Sequence, residues 1–170
     1  MSLTIIHIFS VSFLGYDNLS FDKEITYPVE SYSSQNSLAS DDFNNHTYLD
    51  LVIANYNTST ITIFLISRDA LFINQTLYST GSDSFPSLIS VNHFNNDAKL
   101  DIIVTNPDSS TLGMFLGRND GTFENMIIFS FAYGSHSFSI IVGDFNDDHK
   151  LNFAIGNVDS NTLDILLQTC

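Results

Sequence analysis

Three stretches of this chain carry nearly the same text at one spacing. DFNNHTYLDLVIAN starts at residue 42, HFNNDAKLDIIVTN at 93 and DFNDDHKLNFAIGN at 144, each 51 residues after the last with no gap. The same offset links Leu14, Leu65 and Leu116, and it links Phe21, Phe72 and Phe123. It also aligns Asn44 with Asn95 and Asn146, Leu49 with Leu100 and Leu151, and Asn55 with Asn106 and Asn157. Self-similarity at a fixed period of tens of residues marks stacked supersecondary units, none of which buries its apolar face alone.

One unit reads as strands throughout. LISVNHF is a strand running into the polar loop NNDAK. LDIIVT is a second strand, rich in β-branched residues. NPDSS is a turn, because Pro and Asp break strand pairing. TLGMFLG is a third strand, RNDG a tight Asp-Gly hairpin turn, and TFENMIIFSF a fourth. No segment sustains a helical period. Four short strands per repeat predict an all-β fold of β-propeller blades, each of four antiparallel strands. The second strand is apolar on both sides, as a strand sandwiched between neighbouring blades requires. Phe43, Phe94 and Phe145 are expected in the core between blades. The polar loop belongs at the rim, where backbone groups lie outside the ladder.

The whole chain, 1–170, then reads as one repeat domain. Residues 1–29 supply the last two strands of a blade, 37–79 and 86–130 are full blades, and 137–170 supply the first three strands of another. A chain of 170 residues holds about 3.3 units of 51, whereas propellers close with at least four blades. The expectation is a partial propeller whose missing blades come from a longer chain or from self-association. Two chains would carry about 6.7 units, enough for a head-to-tail pair to close as a seven-bladed ring. The exposed side strands of an open propeller predict pairing or aggregation.

Charge narrows the partners. Five Lys+Arg stand against 19 Asp+Glu, a formal charge of −14. That field repels phosphate backbones and anionic membranes, so nucleic acid is not expected as a partner. It attracts cations. The hydrophobic fraction of 44% and mean hydropathy of +0.11 set the chain apart from disordered tails. Cys170 is the single cysteine, which leaves no internal disulfide. The opening MSLTIIHIFSVSFLG lacks a basic start and a small-residue cleavage site. It aligns with the repeat through Phe13-Leu14-Gly15 and reads as a strand. No apolar run approaches the ~20 residues of a membrane span. Sequons at Asn18, Asn45, Asn57 and Asn74 are weak signs of an extracellular setting.

The loop spacing D-x-N-x-D-G-x-x-D lets alternate side chains converge on one point, and such an oxygen cage suits a hard cation. An EF-hand would need an acid at position 12, where Ile53, Val104 and Ile155 stand. The run D-F-N-x-D-x-K-L-D followed by apolar residues, then L-G-x-x-D-G-T-F, resembles the FG-GAP-like (VCBS-type) repeat of integrin-α-like propellers. The resemblance covers essentially the whole chain. It implies Ca²⁺ bound by the loop between the first two strands of a blade. It also implies protein or glycan recognition at the propeller loops, in adhesion at the cell surface or outside the cell.

Carried over residue by residue, that resemblance assigns Asp42, Asn44 and Asp50 to the first loop, with His46 at the third ligand position. It assigns Asn95, Asp97 and Asp101 to the second, with His93 replacing the leading acid. The third receives Asp144, Asn146 and Asp148, with Asn152 in place of the last acid. Imidazole is a poor calcium ligand. Thr47, Ala98 and His149 replace the central glycine, and a positive φ there would strain each loop by about 1 kcal/mol. The third loop is therefore expected to bind best, the second weakly and the first least. The alternative is that the loops are plain Asx turns on a metal-free interaction surface. No G-x-S-x-G or H-E-x-x-H motif is present, so the expectation is a non-catalytic module, free or within a larger enzyme.

Overall fold

A computed structural model describes residues 5–9, 24–29, 31–67, 72–131 and 137–168. It contains strands and one short 3₁₀ turn among those residues. The chain divides into two compact units, Met1–Ser33 and Ser34–Cys170. In the first, β1 (Ile5–Phe9) pairs antiparallel with β2 (Glu24–Pro28). The aligned Phe13-Leu14-Gly15 and Phe21 lie outside the described residues.

The second unit holds three antiparallel sheets. One is β3 (Gln35–Asp41), β4 (Asp50–Asn55), β5 (Thr60–Ile66) and β6 (Phe72–Ser79). The next is β7 (Ile89–Asn92), β8 (Asp101–Asn106), β9 (Thr111–Phe115) and β10 (Ile127–Ser130). The last is β11 (Ser137–Gly143), β12 (Asn152–Asn157) and β13 (Thr162–Leu166). Each follows chain order, every strand beside its predecessor. Short loops make this the natural pairing.

The period-two alternation of β8 builds both interfaces. Ile102 and Val104, joined by Phe115 across the ladder, face the β3–β6 sheet and cluster with Val52, Ile61 and Ile63. Ile103, with Leu112 and Met114, faces the other way and clusters with Ile155, Phe153 and Val142 of the last sheet. All six residues of β8 are buried. Its apolarity on both sides thus has a tertiary cause. Phe43 and Phe94 are core, as expected, each packing on the ring of the next sheet: Phe43 on Phe123 at 5.5 Å, Phe94 on Phe153 at 5.4 Å. Phe145 departs from the expectation and is 46% exposed.

The hairpin between β9 and β10 shows why Asp-Gly was legible. Asp120 accepts a hydrogen bond from the Thr122 N–H at 2.9 Å, and Gly121 takes φ +82°. A Cβ on Gly121 would also sit 2.7 Å from the Leu65 side chain. Left-handed backbone and close approach both favour glycine there.

Candidate metal centre

The three polar loops share one anchor. Asp50, the first residue of β4, is fully buried; it accepts the Phe43 N–H at 3.0 Å and the Ile66 N–H at 2.8 Å. Asp101 does the same at β8, taking Phe94 N–H at 2.9 Å, Asn95 N–H at 3.3 Å and Gly117 N–H at 2.9 Å. Burial raises both carboxyl pKa values, and the donated N–H bonds only partly offset that cost. Asn152 keeps the first of these bonds, from Phe145 N–H at 2.9 Å, while its Nδ2 is buried without a partner among the described residues. The position read as the last ligand therefore ties the loop to its strands. Sequence reasoning missed that role. The signal was the invariant apolar residue seven positions earlier, whose N–H the carboxylate collects.

In the first loop a histidine ring sits between the acids. Asp42 accepts from the His46 N–H at 2.9 Å and the Thr47 N–H at 2.6 Å. The His46 ring places Nδ1 at 3.0 Å from Asp42 Oδ1 and Nε2 at 3.6 Å from Asp50 Oδ1, with Nε2 also on the Ile66 carbonyl. Tyr48 N–H approaches Nδ1 at 3.4 Å, a weaker contact. Both ring nitrogens face oxygen acceptors, which suits the imidazolium with its two donors. Burial opposes that charge, but the bonds to Ile66 and Asp42 and the fields of Asp50 and Asp42 outweigh it and raise the His46 pKa. Burial likewise opposes ionisation of Asp42, and its hydrogen bonds from His46 and Thr47 prevail and lower its pKa. Asn44 Oδ1 is buried without a partner among the described residues.

The second loop neutralises itself differently. Asn95 Oδ1 accepts the Asp97 N–H at 3.1 Å, and Asp97 Oδ1 accepts the Lys99 N–H at 2.9 Å. The Lys99 ammonium lies 3.2 Å from Asp97 Oδ2. Slight burial works against the Asp97 charge, and the Lys99 contacts and the Asn95 hydrogen bond more than offset it, lowering the pKa. His93 makes no ring contact with these acids in the described structure beyond its backbone bond to Asn92.

The third loop is exposed. Asp144 accepts N–H bonds from Asn146 and Asp148 at 3.2 Å each and from His149 at 2.8 Å. Burial opposes its charge, and these bonds together outweigh that and lower its pKa. Asn146 Nδ2 donates to Asp148 Oδ2 at 3.0 Å, which turns that carboxylate away into a local pair. The groups whose ligand atoms gather within 4.8 Å are Asp144, Asp147 and His149; the first loop brings together Asp42, His46 and Asp50 in the same way. Both groups combine two acids with an imidazole; in the first the ring hydrogen-bonds to Asp42, whereas in the third all three side chains are exposed.

Sheets of four up-and-down antiparallel strands, stacked face to face with polar loops at one rim, define a β-propeller-type protein. Residues 93–155 match the family model described as FG-GAP-like repeat. Among solved structures, the crystal structure of virginiamycin B lyase from Staphylococcus aureus is similar, with a TM-score of 0.52 and 11% sequence identity. The match covers 96% of this chain and 45% of that one, so this chain spans under half its length. At that identity the likeness is one of fold alone. No curated protein sequence matches the chain.

Proposed function

We propose that this chain is a non-catalytic FG-GAP-like propeller segment whose third loop holds Ca²⁺ and whose rim recognises a protein or glycan ligand outside the cell or at its surface. The observation behind this reading is the difference between loops. Asp144 and Asp147 converge with His149 at an exposed rim, while His46 bonds to Asp42 in the first loop and Lys99 pairs with Asp97 in the second. Asp144 and Asp147 would hold the ion, with loop oxygens such as Asn146 completing its shell. Bound calcium would stiffen the rim and cancel part of the acidic field around it. Ca²⁺ sites of extracellular modules bind at about 10⁻⁴–10⁻³ M.

Thermal unfolding with calcium and with chelator tests this. At ten times a millimolar Kd, mass action adds about 1.4 kcal/mol, or a Tm rise of roughly 3–6 °C for a chain of this size. The rise should disappear in Asp144→Ala and survive in Asp42→Ala. Equal melting with calcium and with chelator would refute the calcium reading. It would favour the second reading, a metal-free recognition surface, which the built-in cations of the first two loops support.

A further inference from the structure

At the end of the β3–β6 sheet away from its polar loop lies an open cleft of about 440 Å³. Residues 57–59, in the turn from β4 to β5, form one wall; Ser79, Gly81, Ser82 and Asp83 form the other. β4 runs from Asp50 at the loop to Asn55 at this turn, so about 17 Å of strand separates the two ends. The walls are already fixed by internal bonds. Thr80 N–H donates to the Ser59 carbonyl at 2.9 Å, and Ser84 N–H donates to Ser59 Oγ at 3.2 Å. The buried hydroxyls of Thr80 and Ser84 bond each other at 2.7 Å. The Tyr56 ring packs on Phe85 at 5.0 Å, and the Asn57 amide donates to Ser34 Oγ at 3.0 Å. Held this way, Asp83 and Phe85 take φ of 52° and 50°, left-handed values uncommon outside glycine. Strain of this kind concentrates at ligand clamps and switch regions. The bend turns Ser84 inward to 1% exposure and leaves Ser82 and Asp83 exposed at the cleft.

We infer that this cleft binds a neutral sugar, with Asp83, Asn57 and Ser82 taking its hydroxyls. The site rests on the recognition function proposed above and is independent of calcium. Its volume falls in the range of about 300–1,000 Å³ usual for small-molecule sites. The lining decides the class of ligand. It offers four hydroxyls, one amide and one carboxylate, and no basic or aromatic side chain. An apolar ligand finds nothing to bury against. An anion meets a carboxylate and no cation, on a chain of formal charge −14. A hard cation takes about six to eight oxygens and favours several carboxylates, and here it meets one. A sugar presents adjacent hydroxyls, each able to donate and accept. The Asp83 carboxylate accepts from two of them, the Asn57 amide both donates and accepts, and each serine does either. Because the walls are already ordered, binding costs less conformational entropy. The 51-residue offset puts Asp108 and Asp159 where Asn57 stands, so the amide is particular to this turn.

The test uses the full chain, made in a host that adds no glycan at the Asn57 sequon. Saturation-transfer NMR with free mannose, galactose and N-acetylglucosamine reads binding in the presence of EDTA, and thermal unfolding checks that each variant is folded. At least one of the sugars should bind without calcium. Asp83→Ala should weaken that binding at least about tenfold. Ser82→Trp, which fills the cleft from an exposed position, should abolish it. Asp108→Ala, at the equivalent turn of the next sheet, should leave it unchanged. Binding of none of the three sugars would overturn the cleft as a sugar site. Binding that is equal in Asp83→Ala and Ser82→Trp, or that needs calcium, would overturn it as well and move recognition to another part of the surface. Recognition itself is refuted only if arrayed cell-surface glycans and extracellular proteins are also ignored.

Discussion

At His46 a side chain brings positive charge to a loop of acids. Its ring bridges Asp42 and the neighbourhood of buried Asp50, and its pKa is raised in the fold. The unfolded value is about 6.5. A group held more tightly protonated in the native state stabilises it fully below the unfolded pKa, and that contribution fades as pH rises through the folded value. Urea unfolding of wild type against His46→Asn should therefore show the largest stability difference at pH 5–6, shrinking toward pH 8. A difference that grew with pH would contradict the protonated bridge. The sequence showed that a histidine stood at a ligand position and lowered the expectation for that loop. It did not show that the ring turns inward onto the Ile66 carbonyl, because Ile66 reaches the loop only when β5 pairs with β4.

At the scale of the loop and hairpin, backbone repeats more faithfully than sequence. Thr47, Ala98 and His149 take φ of 75°, 62° and 63°, and Asn45, Asn96 and Asp147 take 59°, 63° and 59°. Ser59, Ser110 and Asn161 do the same after the second strand of each unit, at 53°, 51° and 51°. The expected positive φ at the missing glycine is thus present in all three loops. It persists without glycine because the N–H groups of Thr47 and His149 are held by Asp42 and Asp144. Thr47 is the worst placed, since its branched Cβ meets the backbone in that region. Left-handed strain is about 1–2 kcal/mol, and the extra unfolded-state freedom of glycine offsets about 0.4–1 kcal/mol. Thr47→Gly should therefore stabilise the chain by roughly 0.5–1 kcal/mol in denaturant unfolding, with Ala98→Gly gaining less. Loss of stability in Thr47→Gly would show that the hydroxyl or the branched carbon has a packing role.

Across the whole molecule, equivalent residues have unequal fates. Ile103, Leu112 and Met114 are buried by the following sheet, while their equivalents Ala154, Leu163 and Ile165 lie on the outer face of the last described sheet. At a dilution where the chain is monomeric, Leu112→Ala should cost about 2–5 kcal/mol as a core truncation. Leu163→Ala should stay within about 0.5 kcal/mol, as surface changes do. A large cost at Leu163 under those conditions would mean that another part of the chain covers this face. The same asymmetry exposes Phe145, although its sequence context matches that of Phe43 and Phe94.

The sequence alone determined the period, the strand order within a unit, the place of each polar loop and the residues that bend backward in it. All of these follow from local patterning: alternation for strands, Asp and Asn for turns, a fixed offset for stacking. Tertiary structure decided what those residues do. It made Asp50, Asp101 and Asn152 anchors for backbone N–H groups, since only strand pairing brings those donors to them. It put Lys99 on Asp97 and His46 between two acids, and it gathered Asp144, Asp147 and His149 at the exposed third loop. It also buried Phe43 and Phe94 and left Phe145 exposed, because a repeat specifies a position and only the neighbours present in space determine its burial.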